Sequence, residues 1–284
     1  MIIISVIVPV RNAAATLGNC LDALLRQDLN PESYEVIVVD NQSTDDSVAV
    51  AERYPGVRVL SESRQSAYKA RNCGLRAATG KLIAFTDADC IPHKDWLSYL
   101  MNFLADPHAK IVMGRDIPTG PTTAIRLLGN YDHFKEIFIM SSSDTSIYYG
   151  HTNCMMTRRE IFGEVGFFDE RPRGADVIFV QRVLSLYGTE AVLYQPDAVV
   201  DHTEIQSALV YFKKAFIYGR SARSYSRIVP ARPLRNTERL KIFREVVDSC
   251  KLTIPEAMYL LGLLLLGVGF HGFGWFSLLR EPRS

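Results

Sequence analysis

Asp87 and Asp89 stand one residue apart at the end of an apolar run, in the stretch LIAFTDADC spanning residues 82–90. The run is too short for a helix and too apolar for a surface loop, and Thr79-Gly80 before it signals a turn. A buried strand with two carboxylates at its tip is therefore predicted. Like charges so close repel, so a positive charge between them is expected. A hard divalent cation such as Mg²⁺ or Mn²⁺ would supply it, since such ions take oxygen ligands, commonly one or two carboxylates completed by a diphosphate. Two acids at this spacing can also do no more than cap a turn. Neither a GxxxxGK[ST] loop nor a GxGxxG after a strand is present, so a diphosphate would have to be held by metal and basic side chains.

The surrounding chain alternates between strand and helix. Residues 3–8, 34–39, 57–60 and 82–86 read as strands, and residues 14–27, 44–54 and 65–78 as helices. Leu17, Leu21, Leu24 and Leu25 share one face of the first helix, and Asp45 and Asp46 fall in the first turn of the second, where the helix dipole favours them. Such alternation predicts an α/β fold with a mainly parallel sheet flanked by helices, which binds ligands at the carboxyl ends of its strands. Those ends carry Pro9, Arg11 and Asn12, then Asp40 and Asn41, then Asp87 and Asp89. One cleft would thus receive a guanidinium, an acid and an acid pair.

With 284 residues, 48% of them apolar, the chain can bury one large domain with an appendage, and it is not of the disordered class. The net charge of +1 hides an asymmetry. Residues 1–212 hold 19 Lys/Arg against 26 Asp/Glu, whereas residues 213–251 hold 11 against 3. The acidic part should repel nucleic acid, and no nucleic-acid partner is expected. The basic part adjoins residues 257–279, AMYLLGLLLLGVGFHGFGWFSLL, which are long enough to cross a bilayer core of about 30 Å; their glycines would also permit a bent or re-entrant segment, and a buried core helix is the competing reading. Arg239, Lys241, Arg244 and Lys251 before it and Arg280 and Arg283 after it favour membrane lipids as partners. The start, MIIISVIVPVRN, lacks a basic n-region and a cleavage site, so the catalytic part is expected on the cytoplasmic side of a membrane-associated protein. Five cysteines (Cys20, Cys73, Cys90, Cys154, Cys250) show no zinc-ligand spacing and read as reduced structural thiols.

VIVPVRN (6–12), VIVVDNQSTDDS (36–47), ARNCGLRAATGKLIAFTDADC (70–90), GHTNCMMTRREIFGEVGFFDE (150–170) and the later RGAD together resemble family 2 glycosyltransferases of the GT-A fold. The resemblance covers roughly residues 4–225 and implies an inverting transfer from a nucleoside-diphosphate sugar, UDP-linked, with Mg²⁺ or Mn²⁺ as cofactor. It implies that Asp40 contacts the base with Pro9 and Arg11 lining the same pocket. Arg71 faces the nucleotide or diphosphate, its alternative being a surface arginine paired with a nearby acid. Asp87 turns toward the ribose, Asp89 toward the metal, Ala88 lies between them against the nucleotide sugar, and Asn153 lies beside donor sugar and acceptor. His202, after Val199-Val200-Asp201, resembles a strand-end metal or diphosphate ligand; a structural histidine oriented by Asp201 is the alternative. In the family's Gly-Glu-Asp segment this chain reads Gly174-Ala175-Asp176, so the first acid is missing while the base position is kept. Asp176 is the expected catalytic base, with helix N-capping as the competing or additional role. Asp169 and Glu170 are its rivals.

The domains expected are 1–204, catalytic; 205–253, basic, partly amphipathic and membrane-proximal; and 254–284, a hydrophobic membrane segment. A QxxRW motif is absent, which argues for one sugar per encounter with a lipid-linked or saccharide acceptor. Acceptor specificity is expected from residues 117–129 and 141–151. Two other classes remain open here: a haloacid-dehalogenase-like phosphatase using the acid pair, and a non-catalytic membrane-tethered sugar binder, suggested by Ala175.

Overall fold

The computed structural model describes residues 2–277. Strands β1 (Ile4–Val10), β2 (Tyr34–Asp40), β3 (Val57–Ser61), β4 (Leu82–Thr86), β5 (Cys90–Pro92), β6 (Ile111–Pro118), β7 (Cys154–Arg158) and β8 (Val192–His202) form one sheet in the order β3-β2-β1-β4-β7-β6-β8-β5. The α-helices are α1 (Ala14–Leu24), α2 (Ser47–Glu52), α3 (Ala67–Ala77), α4 (Trp96–Phe103), α5 (Thr123–Met140), α6 (Ile161–Glu164), α7 (Ala175–Tyr187), α8 (Ala208–Tyr225), α9 (Asn236–Ser249) and α10 (Ile254–Phe276).

β1 pairs in parallel with β2 and β4, and β2 with β3, as the alternation predicts. Beyond the acid pair the sheet changes character, because β4 with β7, β6 with β7, and β5 with β8 run antiparallel. β1 and β2 are buried along nearly their whole length, which is why ISVIVPV and YEVIVVD are continuous apolar runs rather than alternating ones. Pro9 fits inside β1 because pairing with β4 ends at Ile7–Phe85; its missing N–H costs no bond to that neighbour.

Two local details differ from the sequence expectation. The second helix starts at Ser47 rather than 44, since the Asp45 carboxylate accepts from the Ala14 backbone N–H (3.0 Å) and from the Ser47 hydroxyl (2.5 Å), tying the loop after β2 to the start of α1. The third begins at Ala67, capped by Ser66 Oγ, which accepts from Tyr68 N–H at 3.2 Å. All five cysteines are free.

The chain divides into two compact units. The first comprises the described residues up to Asp116 with Tyr149–His202; the second comprises Ile117–Tyr148 with the described residues from Thr203 onward. Residues 117–148, lying inside the expected 1–204 domain, thus cluster with the C-terminal helices. The first unit is built on the sheet, with Leu17, Leu21 and Leu24 of α1 packed on Val6, Val8 and Val36. The second is helical: Leu127 and Tyr131 of α5 meet Ile242, Val246 and Leu260, while Ala124 and Leu128 meet Phe212 and Leu263.

Among the described residues one helix, α10, is long and apolar enough to cross a membrane. It is continuous through its glycines rather than broken, and a reciprocal Thr253/Glu256 capping box starts it. Two glycines let it approach α8 closely: a Cβ at Gly219 would lie 2.0 Å from the His271 carbonyl oxygen, and one at Gly274 would lie 2.0 Å from that of Phe216. Leu279, Arg280 and Arg283 lie outside the described residues.

Candidate active site

The acid pair sits in the turn between β4 and β5, where the strand leaves the sheet centre. Every residue expected at the site belongs to the first unit. On the β1–β2 side, Asp40 ends β2 and is buried, its Oδ1 accepting from Ser43 N–H at 3.2 Å. Beside it Asn41 donates to the carbonyls of Glu62 (2.9 Å) and Arg64 (3.0 Å) and accepts from Ser66 N–H (2.7 Å), shaping the entry to α3. Pro9 is half-buried, and Arg11 is exposed with its guanidinium facing the Gln65 side-chain amide.

Arg71 is the positive charge that the first aspartate calls for. It is buried on α3, its Nη2 donates to Asp87 Oδ1, and its guanidinium carbon lies 5.3 Å from the Tyr68 ring centroid. Its Nε is buried and has no partner. Arg71 thus pairs with an acid inside the protein rather than on a helix surface. The Tyr68 phenol in turn faces Asp176 and favours its carboxylate. Asp87, Arg71, Tyr68 and Asp176 form one polar chain.

Asp176 lies in the first turn of α7, and Gly174 occupies the N-cap with φ +78°. The N-capping role considered for Asp176 is thereby corrected: a left-handed backbone is needed one residue before the helix, and glycine adopts it without a Cβ clash. Asp176 Oδ1 instead accepts from the adjacent Val177 N–H at 2.9 Å. Burial pushes its carboxyl above the ordinary aspartate range, outweighing Tyr68, the Val177 N–H, Arg71 and His151, which all favour the anion. Gly150 permits this crowding, since a Cβ there would stand 2.9 Å from the Asp176 carbonyl oxygen. The rivals are engaged elsewhere: Asp169 pairs with Arg182 at 2.8 Å and Glu170 with Arg64 at 2.9 Å. Ala175 is fully buried.

Asp89 meets His202 because β5 pairs with β8 in the register Cys90–His202. His202 Nε2 lies 3.4 Å from Asp89 Oδ2, and Nδ1 lies 3.0 Å from Asp116 Oδ2. Asn153 Nδ2 donates to the same Asp116 oxygen at 2.6 Å, and Asn153 Oδ1 is 3.0 Å from His151 Nδ1. Burial alone would raise the Asp116 carboxyl, but the hydrogen bond and charge of His202, with His151 and Asn153, hold it below the usual range. Asp201, suggested as the partner of His202, points to the other face of β8 and pairs with His93 at 3.3 Å. Asp116 does the orienting.

Asp89, Cys90 and His202 bring one donor atom each within 4.8 Å of one another. A carboxylate and an imidazole whose second nitrogen is held by another carboxylate suit a divalent cation. The Cys90 thiol is pushed upward by burial, then by Asp87, Asp116 and Asp89.

Asp116, Tyr68 and His151 went unnoticed in the sequence. Asp116 carries only a weak signal: it follows the apolar run Ile111–Met113 with Gly114 and Arg115 between, and it stands inside β6 rather than at its tip. Tyr68 and His151 carry none, being set by packing between elements distant in sequence.

A family model for glycosyl transferase family 2 matches residues 5–166. The chain belongs to that family. This membership removes the phosphatase alternative. Glycosyltransferase AglE of Haloferax volcanii is 32% identical over 188 residues, covering 63% of this chain and 60% of AglE, so the chain spans less than two thirds of that relative. Among solved structures, the mannosyltransferase PcManGT of Pyrobaculum calidifontis, in complex with GDP-Man and Mn²⁺, superposes with a TM-score of 0.64 at 22% identity, covering 95% of this chain and 82% of its own. TarS of S. aureus in complex with UDP-GlcNAc superposes with a TM-score of 0.58 at 18% identity, covering 94% and 82%. At these identities the likeness establishes the α/β glycosyltransferase fold.

Proposed function

We propose that this family 2 glycosyltransferase moves one sugar per encounter, with inversion, from a nucleoside-diphosphate sugar to a hydroxyl of a lipid-linked or saccharide acceptor. The observation that carries the reading is Arg71, which joins the acid pair to Asp176 through Asp87 on one side and Tyr68 on the other. A donor site and a base are thereby parts of a single charge network.

Asp40, with Pro9 and Arg11, receives the base, and Asp87 with Ala88 receives the ribose side of the nucleotide sugar. The unpartnered Nε of Arg71 is a donor for the nucleotide or diphosphate, and the guanidinium stabilises the departing nucleoside diphosphate. Asn153, held by Asp116, stands beside the sugar and acceptor. Asp176 takes the acceptor proton as its oxygen attacks the anomeric carbon with the nucleotide leaving from the opposite face. A raised carboxyl in contact with a phenol is poised for that transfer. Asp89 and His202 would hold Mg²⁺ or Mn²⁺, which supplies charge neutralisation for the diphosphate. The Mn²⁺ bound with GDP-Man in PcManGT supports this, and TarS with UDP-GlcNAc supports a UDP-linked donor. Competition between UDP and GDP for the site discriminates the two bases.

The apolar α10 supports membrane association, with the catalytic unit on the cytoplasmic side where nucleotide sugars are available and a lipid-linked acceptor presents its head group. Asp176→Asn tests the central claim. It retains an oxygen for the Val177 N–H but cannot accept a proton, so nucleotide binding should persist while transfer falls by about 10²- to 10⁴-fold. Unchanged turnover would move the base elsewhere; tight nucleotide binding by wild type without turnover on any acceptor would favour the sugar binder.

A further inference from the structure

α10 divides cleanly into two faces. Leu260, Leu263 and Gly274 are buried against neighbouring helices, while Met258, Leu265, Phe273 and Phe276 are 70%, 67%, 74% and 76% exposed. Ile254, Leu261 and Leu266 continue the exposed face, and after Glu256 the helix bears no Asp, Glu, Lys or Arg. Such a one-sided apolar surface along all 23 residues needs a cover.

The buried face decides how the helix meets that cover. Phe212 of α8 stacks on Phe270 with centroids 5.4 Å apart, Gly219 abuts the His271 carbonyl, and Arg223 Nη1 donates to the Trp275 carbonyl at 3.3 Å. At the opposite end Arg126 of α5 pairs with Glu256 at 2.6 Å. Arginines from two different helices thus hold the ends of α10, about 29 Å apart along its axis. If α10 crossed a bilayer, α8 would have to cross alongside it, carrying Lys213, Lys214, Arg220 and Arg223 into or through the hydrocarbon. α9, packed on α5, would add Arg239, Lys241 and Arg244. One such cation at mid-bilayer costs more than several leucines return.

We infer that α10 lies flat in the interface of an anionic membrane, its Ile254–Phe276 apolar face in the acyl boundary and the basic helices α8 and α9 at head-group level. This deepens the membrane association proposed above and rests on it. The charge balance names the occupant: residues 213–251 carry 11 Lys/Arg against 3 Asp/Glu, which draws anionic head groups and sets two copies of this surface against each other. Within the basic, partly amphipathic stretch 205–253, α8 spends Phe212 on packing against α10.

The test uses the full chain with single reporter cysteines at Met258→Cys, Leu265→Cys or Phe273→Cys, in a background where the half-exposed Cys73 and Cys250 are serine. Each is labelled with an environment-sensitive fluorophore and bound to phosphatidylcholine vesicles with or without phosphatidylglycerol. Lipids bearing a nitroxide near the head group or deep in the acyl chain then report depth. A flat helix gives the same shallow quenching at all three positions and binding that strengthens with phosphatidylglycerol. Leu265→Gln with Phe273→Gln should weaken partitioning more than about tenfold. Deep quenching at Leu265 with shallow quenching at the flanking sites means a spanning helix and overturns the inference while keeping the membrane association. Absence of vesicle binding, or a stable detergent-free dimer, overturns both. No readout depends on sugar transfer, so failure of the enzymatic reading is seen separately.

Discussion

Asp116 offers the sharpest test of the site, because its place inside β6 gives no sequence sign of its contacts. Its carboxylate accepts from His202 Nδ1 at 3.0 Å and from Asn153 Nδ2 at 2.6 Å, while His202 Nε2 is aimed at Asp89. Asp116→Asn keeps an acceptor for one of these donors but removes the charge. A hydrogen bond to a charged group is worth about 1.5–3 kcal/mol against about 0.5–1.5 for a neutral one, so the imidazole's hold weakens by about 1–1.5 kcal/mol, close to tenfold in metal affinity. Asp116→Ala also strands the Asn153 donor and frees the histidine tautomer, and changes in such supporting groups cost about 10- to 100-fold. Titration of Mn²⁺ in the presence of UDP, followed by calorimetry or by the spin resonance of free Mn²⁺, measures both. Because Asp116 acts through His202, the pair Asp116→Ala with His202→Ala should bind metal no worse than His202→Ala alone. Wild-type Mn²⁺ affinity in Asp116→Ala, or losses that simply add, would refute the reasoning.

Asp89→Ala should abolish the Mn²⁺ enhancement of UDP binding, whereas Asp87→Ala should weaken UDP and leave the enhancement in place, both read from the same titrations. Arg71→Met leaves Asp87 without its partner and removes a charged donor from the proposed diphosphate site, so UDP binding should weaken more than about tenfold even without metal; equal affinity would place the nucleotide elsewhere. Burial raises the Asp176 carboxyl, so the folded chain holds that proton more tightly than the unfolded chain, and the stability this confers is lost as pH rises through the raised value. Transfer should accordingly show an acid limb above the ordinary aspartate range, and Asp176→Asn should melt no lower than wild type at neutral pH. Gly219→Leu forces α8 from the His271 carbonyl and should lower stability by about 1–3 kcal/mol in thermal unfolding, whereas an unchanged melting temperature would show that the helices do not approach as described.

The amino-acid sequence by itself determined the strand–helix alternation of the first ninety or so residues, because apolar periodicity and turn residues act within a few positions of each other. It also determined the acid pair at a strand tip and the apolar C-terminal helix, both properties of continuous stretches. The antiparallel half of the sheet was not legible, since pairing direction depends on which edge a returning strand finds. Only the tertiary structure decided that His202 turns to Asp116 rather than to its neighbour Asp201: successive side chains on β8 face opposite ways, and the register with β5 chooses the face that meets Asp89. It likewise paired Asp169 and Glu170 with arginines from other elements, and bound Arg71 to Asp87. A charge's role depends on the charges packed against it, and those are drawn together from residues tens of positions apart by the sheet that the local pattern builds.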